Sequence, residues 1–184
     1  MLKFALTRGV HEPTRGTSKS AGIDLYIPTL DEAYEKDFLK FNPDHQQAYI
    51  DRGIVYEGVP TYVTSIVIWP HCAAFIPTGL KVFIPKQIFE NGIEGTALIV
   101  RDKGGVSLKN RVTKLAGLID EDFQGEMFIT MLNYSNKPAK LEEGKKFIQI
   151  IRVPVYYDRF KIVPEAELYS EVTVRGEGMM GSTG

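Results

Sequence analysis

Apolar and polar positions alternate along this chain in short bursts. Lys3 to Leu6, Tyr62 to Trp69, Ala73 to Pro77, Leu80 to Ile84, Thr96 to Val100, Phe128 to Leu132 and Phe147 to Val155 each read as strands. They are rich in Val, Ile, Phe and Thr and are separated by Gly, Pro, Asn and Lys, residues that punctuate sheets. None alternates with a long amphipathic helix, which disfavours a doubly wound parallel sheet and predicts an all-β barrel or jelly-roll. One stretch departs from this rhythm. Between 31 and 53, Ala33, Phe38 and Phe41 recur at loosely helical spacing among charges, and Pro43 interrupts them. This predicts an inserted, partly helical excursion, set within residues 31–65.

Composition narrows the class. A chain of 184 residues with 43% apolar and 24% charged content is long enough for one domain with a sizeable core. The formal net charge of −1 provides no overall field toward nucleic acid or membrane, so neither is expected as a direct partner. Any phosphate recognition has to come from a local cluster. The N-terminal MLKFALTRGV is too short an apolar stretch for a signal peptide, and no run approaches the ~20 residues of a membrane span. Cys72 is the only cysteine, which fits a reducing cytoplasm and gives no zinc-binding pattern.

Five stretches carry candidate chemistry. In SAGIDLYIP, 20–28, Asp24 falls inside an apolar run. Such a carboxylate either closes a turn or is charge-paired or near a metal. The stretch 101–114 gathers Arg101, Lys103, Lys109, Arg111 and Lys114 around Gly104 and Gly105, with Asp102 the one acid. It reads as a phosphate cradle or as a solvated basic loop, and it lacks P-loop spacing. AGLIDEDFQG, 116–125, suits a hairpin whose tip projects a carboxylate and an aromatic ring. A carboxylate held there is either a general base toward water or part of an acidic turn. Gln149 interrupts the apolar strand after EEGKK, and a buried amide must satisfy backbone groups or touch a ligand. Last comes RGEGMMGSTG, 175–184, which has nothing to build a core with. It is either a frayed end or a lid that orders over a ligand.

The order and spacing of these stretches resemble the five motifs of trimeric dUTPases, enzymes that hydrolyse dUTP to dUMP and pyrophosphate. AGIDL at 21–25 looks like the first motif. Arg101, placed sixteen residues before Gly117, matches the arginine that opens the second. GLIDEDFQG at 117–125 is close to the third, EGKKFIQ at 143–149 to the fourth, and the glycine-rich tail to the fifth. The resemblance covers nearly the whole chain outside the insertion. It implies a distorted jelly-roll domain over 1–174, a lid over 175–184, and a homotrimer with active sites shared among three subunits.

The resemblance also implies roles. Asp120 orients and deprotonates water for attack on the α-phosphorus. Mg²⁺ bridges the triphosphate, with Asp24 holding its waters and nearby basic groups. Arg101, Asp102, Lys103 and Gln149 lie along the phosphates, and Lys114, Leu115, Ala116 and Gly117 read the uracil edge. Phe123 packs on the deoxyribose, Arg175 reaches the γ-phosphate, and Gly178 and Met180 cover the ligand. Two departures stand out. Asp102 occupies the place of a phosphate-facing serine, so it either turns aside to pair with Lys103 or Arg101 or helps bind Mg²⁺. Met179 and Met180 stand where the family carries an aromatic that stacks on uracil. Alternative readings are a dCTP deaminase of the same fold, or a non-catalytic member that binds a nucleotide or, through the 31–65 insertion, a protein partner.

Overall fold

Strands dominate, as the hydrophobic pattern predicts. The structure is a computed structural model that describes residues 1–53, 55–56, 59–60, 63–86, 95–171 and 173. In chain order the elements begin with β1 (Lys3–Leu6), β2 (Ile23–Tyr26), α1 (Glu32–Phe41), β3 (Ala48–Asp51), β4 (Val55–Tyr56), β5 (Val59–Pro60) and β6 (Ser65–Ile68). They continue with β7 (Ala73–Phe83), β8 (Gly95–Asp102), α2 (Gly104–Asn110), β9 (Val112–Lys114), β10 (Leu118–Ile119), β11 (Glu126–Asn133), β12 (Ala139–Glu142) and β13 (Lys146–Val155).

Two four-stranded sheets, ordered β1-β7-β11-β9 and β10-β8-β13-β2, enclose the core with a three-stranded sheet, β12-β6-β3. Every pairing within these sheets is antiparallel. The jelly-roll expectation is borne out, with separate sheets rather than one closed barrel among the described residues. The β11 strand shows why the layers hold. Met127, Ile129, Met131 and Asn133 point inward in strict alternation, each at most 2% exposed.

Sequence breaks β7 in two at Thr78 and Gly79, yet the structure carries it through as one strand of 11 residues. The interruption is a bulge, not a turn. Opposite it the register of β11 shifts between Glu126 and Phe128. Gly79 takes a positive φ of 73° there, and its N–H donates to the Glu126 carboxylate at 2.8 Å. A side chain at Gly79 would be strained by that φ and would crowd Arg8 and Val10.

The insertion is bolted to this sheet. Asp31 caps α1 by accepting from the Tyr34 N–H at 2.8 Å. Tyr34 and Phe38, four residues apart, bury their rings almost completely. Each contributes roughly 1.5–3 kcal/mol of apolar burial. Sequence had picked out Ala33, Phe38 and Phe41; in the structure Ala33 is exposed and Phe41 is 48% exposed. Asn42 then bonds the Phe75 backbone twice, donating to its C=O and accepting from its N–H, both at 2.8 Å. The following β3 adds a full strand beside β6. Among the described residues no helix is long and apolar enough to cross a membrane.

Candidate active site

The middle of one sheet brings three of the candidate residues into a row. β13 runs between β8 and β2, and its Gln149 sits opposite Arg101 on one side and Asp24 on the other. Cross-strand partners share a face. Ile148 and Ile150 point into the core, so Gln149, Arg101 and Asp24 share the outer surface.

Asp24 is only 3% exposed. Its two carboxylate oxygens accept separately from Lys103 Nζ at 3.0 Å and Lys146 Nζ at 2.9 Å. Burial opposes ionisation, but the hydrogen bonds from Lys146 and Lys103 outweigh it and hold the carboxyl below the usual aspartate range. The same contact with Asp24 raises Lys146. Both lysine side chains remain about a third exposed. The buried carboxylate therefore fixes two ammonium groups at the surface beside Arg101, a local concentration of positive charge on a nearly neutral protein. Gln149 is held by its own amide, which donates to the Asp102 carbonyl at 2.9 Å. Gly22 leaves the space for it, since a Cβ there would fall 2.1 Å from Gln149 Oε1.

Asp102 turns away from this row. As the neighbour of Arg101 in a strand, it points to the opposite face. Its carboxylate accepts from the Thr113 hydroxyl at 2.7 Å and from the Lys114 N–H at 2.8 Å. The expected partners Lys103 and Arg101 are thus replaced by β9, because strand alternation aims the side chain there. Gly104 and Gly105 open α2 with free space where each side chain would be.

Lys114 to Gly117 is a crossing between sheets. β9 pairs with β11 while β10 pairs with β8, and Leu115 and Ala116 are left exposed at the corner. Gly117 is pressed against Val100, its C=O accepting the Val100 N–H at 2.7 Å. Beyond β10 comes the turn holding Asp120 and Phe123, closed by the Phe123 N–H to the Asp120 C=O at 3.2 Å. Ile119 pairs with Leu98, and the antiparallel direction carries Asp120 further from Arg101. At ~3.3 Å per residue the two are separated by more than about 10 Å. One chain therefore assembles Asp24, Arg101, Lys103 and Gln149, and holds Asp120 and Phe123 apart from them. Arg175, Gly178 and Met180 lie outside the described residues.

Sequence reasoning did not single out Lys146, Thr113 or Gly22. For Lys146 a signal was present, because a buried Asp24 demands a cation and two lysines precede Gln149. The bulge between Lys146 and Ile148 puts Lys146 at the level of Tyr26, within reach of Asp24.

Comparison with known proteins bears on this arrangement. A family model described as dUTPase matches residues 62–184. The deoxyuridine 5'-triphosphate nucleotidohydrolase of Actinobacillus succinogenes is 33% identical over 174 residues, covering 94% of this chain and 86% of that protein. Among solved structures, the Staphylococcus bacteriophage 80alpha dUTPase with dUPNHPP is similar at a TM-score of 0.66 and 20% identity, over 100% of this chain and 98% of that one. A dUTPase from phage phi11 of S. aureus, reported to reveal the coordination of a structural Mg(II) ion, aligns at a TM-score of 0.61 and 19% identity over 91% and 99%. The matched span contains Arg101, Asp120, Gln149 and the glycine-rich tail, and with it the chain belongs to the dUTPase family.

Proposed function

We propose that this chain hydrolyses dUTP to dUMP and pyrophosphate. The observation that carries the reading is the Arg101–Gln149–Asp24 row, in which a buried carboxylate anchors two lysines beside Arg101. Arg101 grips phosphate oxygens with its planar fork. Lys103, Lys146 and the Gln149 amide fix the triphosphate alongside. Asp120 accepts a proton from water as the water oxygen bonds to the α-phosphorus. The bond to the bridging oxygen breaks, and pyrophosphate leaves with that electron pair. Phe123 packs on the deoxyribose, and the exposed corner at Lys114, Leu115, Ala116 and Gly117 reads the uracil edge.

A magnesium ion fits this donor set. Mg²⁺ is commonly held by one or two carboxylates and substrate phosphates, keeping several waters, rather than by an all-protein cage. Asp24 spends one acceptor site of each oxygen on a lysine, which leaves lone pairs for metal-bound water. When bound, the ion would offset the triphosphate charge.

The site is shared between copies in a homotrimer. Asp120 and Arg101 of one chain stand more than about 10 Å apart along the strands, an arrangement that suits a site drawing the two from different subunits. After β13 the chain also exposes Phe160 and Ile162 at 91% and 89%, surface that a neighbouring copy would cover. The tail, with Arg175, Gly178 and Met180, closes over the bound nucleotide.

Pyrophosphate release from dUTP with Mg²⁺ tests the reading, with dCTP and UTP in parallel. The expected result is equimolar dUMP and pyrophosphate from dUTP, lost in Asp120→Asn. Ammonia release from dCTP without attack on dUTP would overturn it in favour of a deaminase.

A further inference from the structure

Glu121 lies between Asp120 and Asp122 but is tied down where the other two are exposed. The ladder explains why. Leu118 and Ile119 pair with Ile99 and Leu98, so continued pairing would bring residue 121 opposite Thr96. The chain turns away before that point, leaving the N–H of Thr96, a residue 2% exposed, without its backbone partner. The Glu121 carboxylate takes its place, accepting the Thr96 N–H at 3.1 Å. An unsatisfied buried N–H is costly, so this bond holds the turn against the sheet.

A second group lies near the same carboxylate. Tyr157, just past the end of β13, places its hydroxyl against Gly95, the neighbour of Thr96, within the field of the Glu121 carboxylate. Its ring lies over Gly95, where a Cβ would fall 2.4 Å from the ring edge. Gly95 is itself paired with Val155, so the sheet fixes the ring from behind. The lower dielectric around Tyr157 and the charge of Glu121 keep the phenol protonated and able to donate.

We propose that Glu121 is the positioning residue of the Asp120–Phe123 turn, latched by the Thr96 N–H and the Tyr157 hydroxyl. Glu121 touches no substrate. It acts by holding the water-activating Asp120 and the sugar-packing Phe123 in one geometry, and so rests on the hydrolase reading above. Because Tyr157 begins the segment leading to the C-terminal tail, the latch also ties the departure of that segment to the turn.

The test compares Glu121→Ala, Glu121→Gln and Tyr157→Phe. Gln keeps an acceptor for both donors; Ala keeps none. Glu121→Ala should lower kcat for dUTP about tenfold and erode the preference for dUTP over UTP, since small misplacements of reacting groups are costly. Glu121→Gln should restore most of both. Amide exchange at Thr96 and Phe123 should accelerate in the Ala variant and not in the Gln variant. Tyr157→Phe removes one hydroxyl from a half-exposed ring and leaves the fold intact. Its smaller loss should not add to that of Glu121→Ala, because both break one latch. Unchanged exchange in Glu121→Ala, additive losses, or faster exchange with unaltered kcat and sugar preference would each overturn the proposal. If the unaltered protein fails to hydrolyse dUTP, the hydrolase reading falls, and the exchange comparison still decides whether the latch exists.

Discussion

Asp24→Asn isolates the charge that organises the site. The side chain is 3% exposed and bridges two ammonium groups at 3.0 and 2.9 Å. Removing one member of a fully buried ion pair costs about 3–5 kcal/mol. The lysines here are about a third exposed, so water hydrates them once stranded, and the Asn oxygen still accepts one bond. We therefore expect the low end of the range for charged hydrogen bonds, about 2 kcal/mol. For a domain of this size that lowers Tm by about 4–8 °C. The effect must also carry a pH signature. The folded carboxyl sits below the ordinary aspartate value of 3.8, so its contribution is full above that value. It is lost as the pH falls through the lowered folded pKa. Thermal unfolding of both proteins, at one protomer concentration because assembly shifts Tm, should show a wide gap at neutral pH that closes in acid. A Tm within 1–2 °C of the unaltered protein at neutral pH, or a gap that persists in acid, would refute the reasoning.

Three further outcomes are expected. Asp102→Ser gives up the bonds from Thr113 and the Lys114 N–H, so it should destabilise by about 1–2 kcal/mol in denaturant titration. The Mg²⁺ concentration for half-maximal rate should not move, and a rise of about tenfold would instead mark Asp102 as a metal contact. Gly22→Ala places a methyl 2.1 Å from Gln149 Oε1 and must displace that amide. The dUTP KM should rise up to about tenfold, the worth of one lost charged hydrogen bond, and an unchanged KM would remove Gln149 from the phosphate site. Arg8→Ala cuts charged hydrogen bonds to Glu126 at 2.9 Å and Asp37 at 3.3 Å, partners that stay partly exposed, so it should destabilise by about 2 kcal/mol with kcat preserved. A loss of kcat without a loss of stability would show that the insertion reaches the active site.

Fold class was legible because period and punctuation are local properties. β1 begins and ends where the alternation does, and Ile148 and Ile150 of β13 fill the core side of its sheet. The failures came where a local signal had a distant resolution. Gly79 reads as a break in β7 until Glu126, 47 residues away, is seen to accept its N–H. Residues 48–51 look like the remainder of an insertion, and only β6 turns them into a strand. Helical spacing chose Phe41 over Tyr34, although Tyr34 is the residue four positions before Phe38 and shares its buried face.

The site divides along the same line. A carboxylate in the apolar run of AGIDL announces that something must offset its burial, and composition alone cannot say what. The answer lies 79 residues away at Lys103 and on the next strand at Lys146. For Asp102 sequence offered two neighbours as partners, and pleating excluded both by sending the side chain to the other face, where β9 supplies Thr113. Net charge pointed the same way from the start. A protein of net charge −1 attracts a triphosphate only if its cations are held together, and adjacent lysines repel one another. A buried aspartate between two of them removes that repulsion and fixes their geometry before substrate arrives. The negative charge in the first motif is thus what makes a positive site possible.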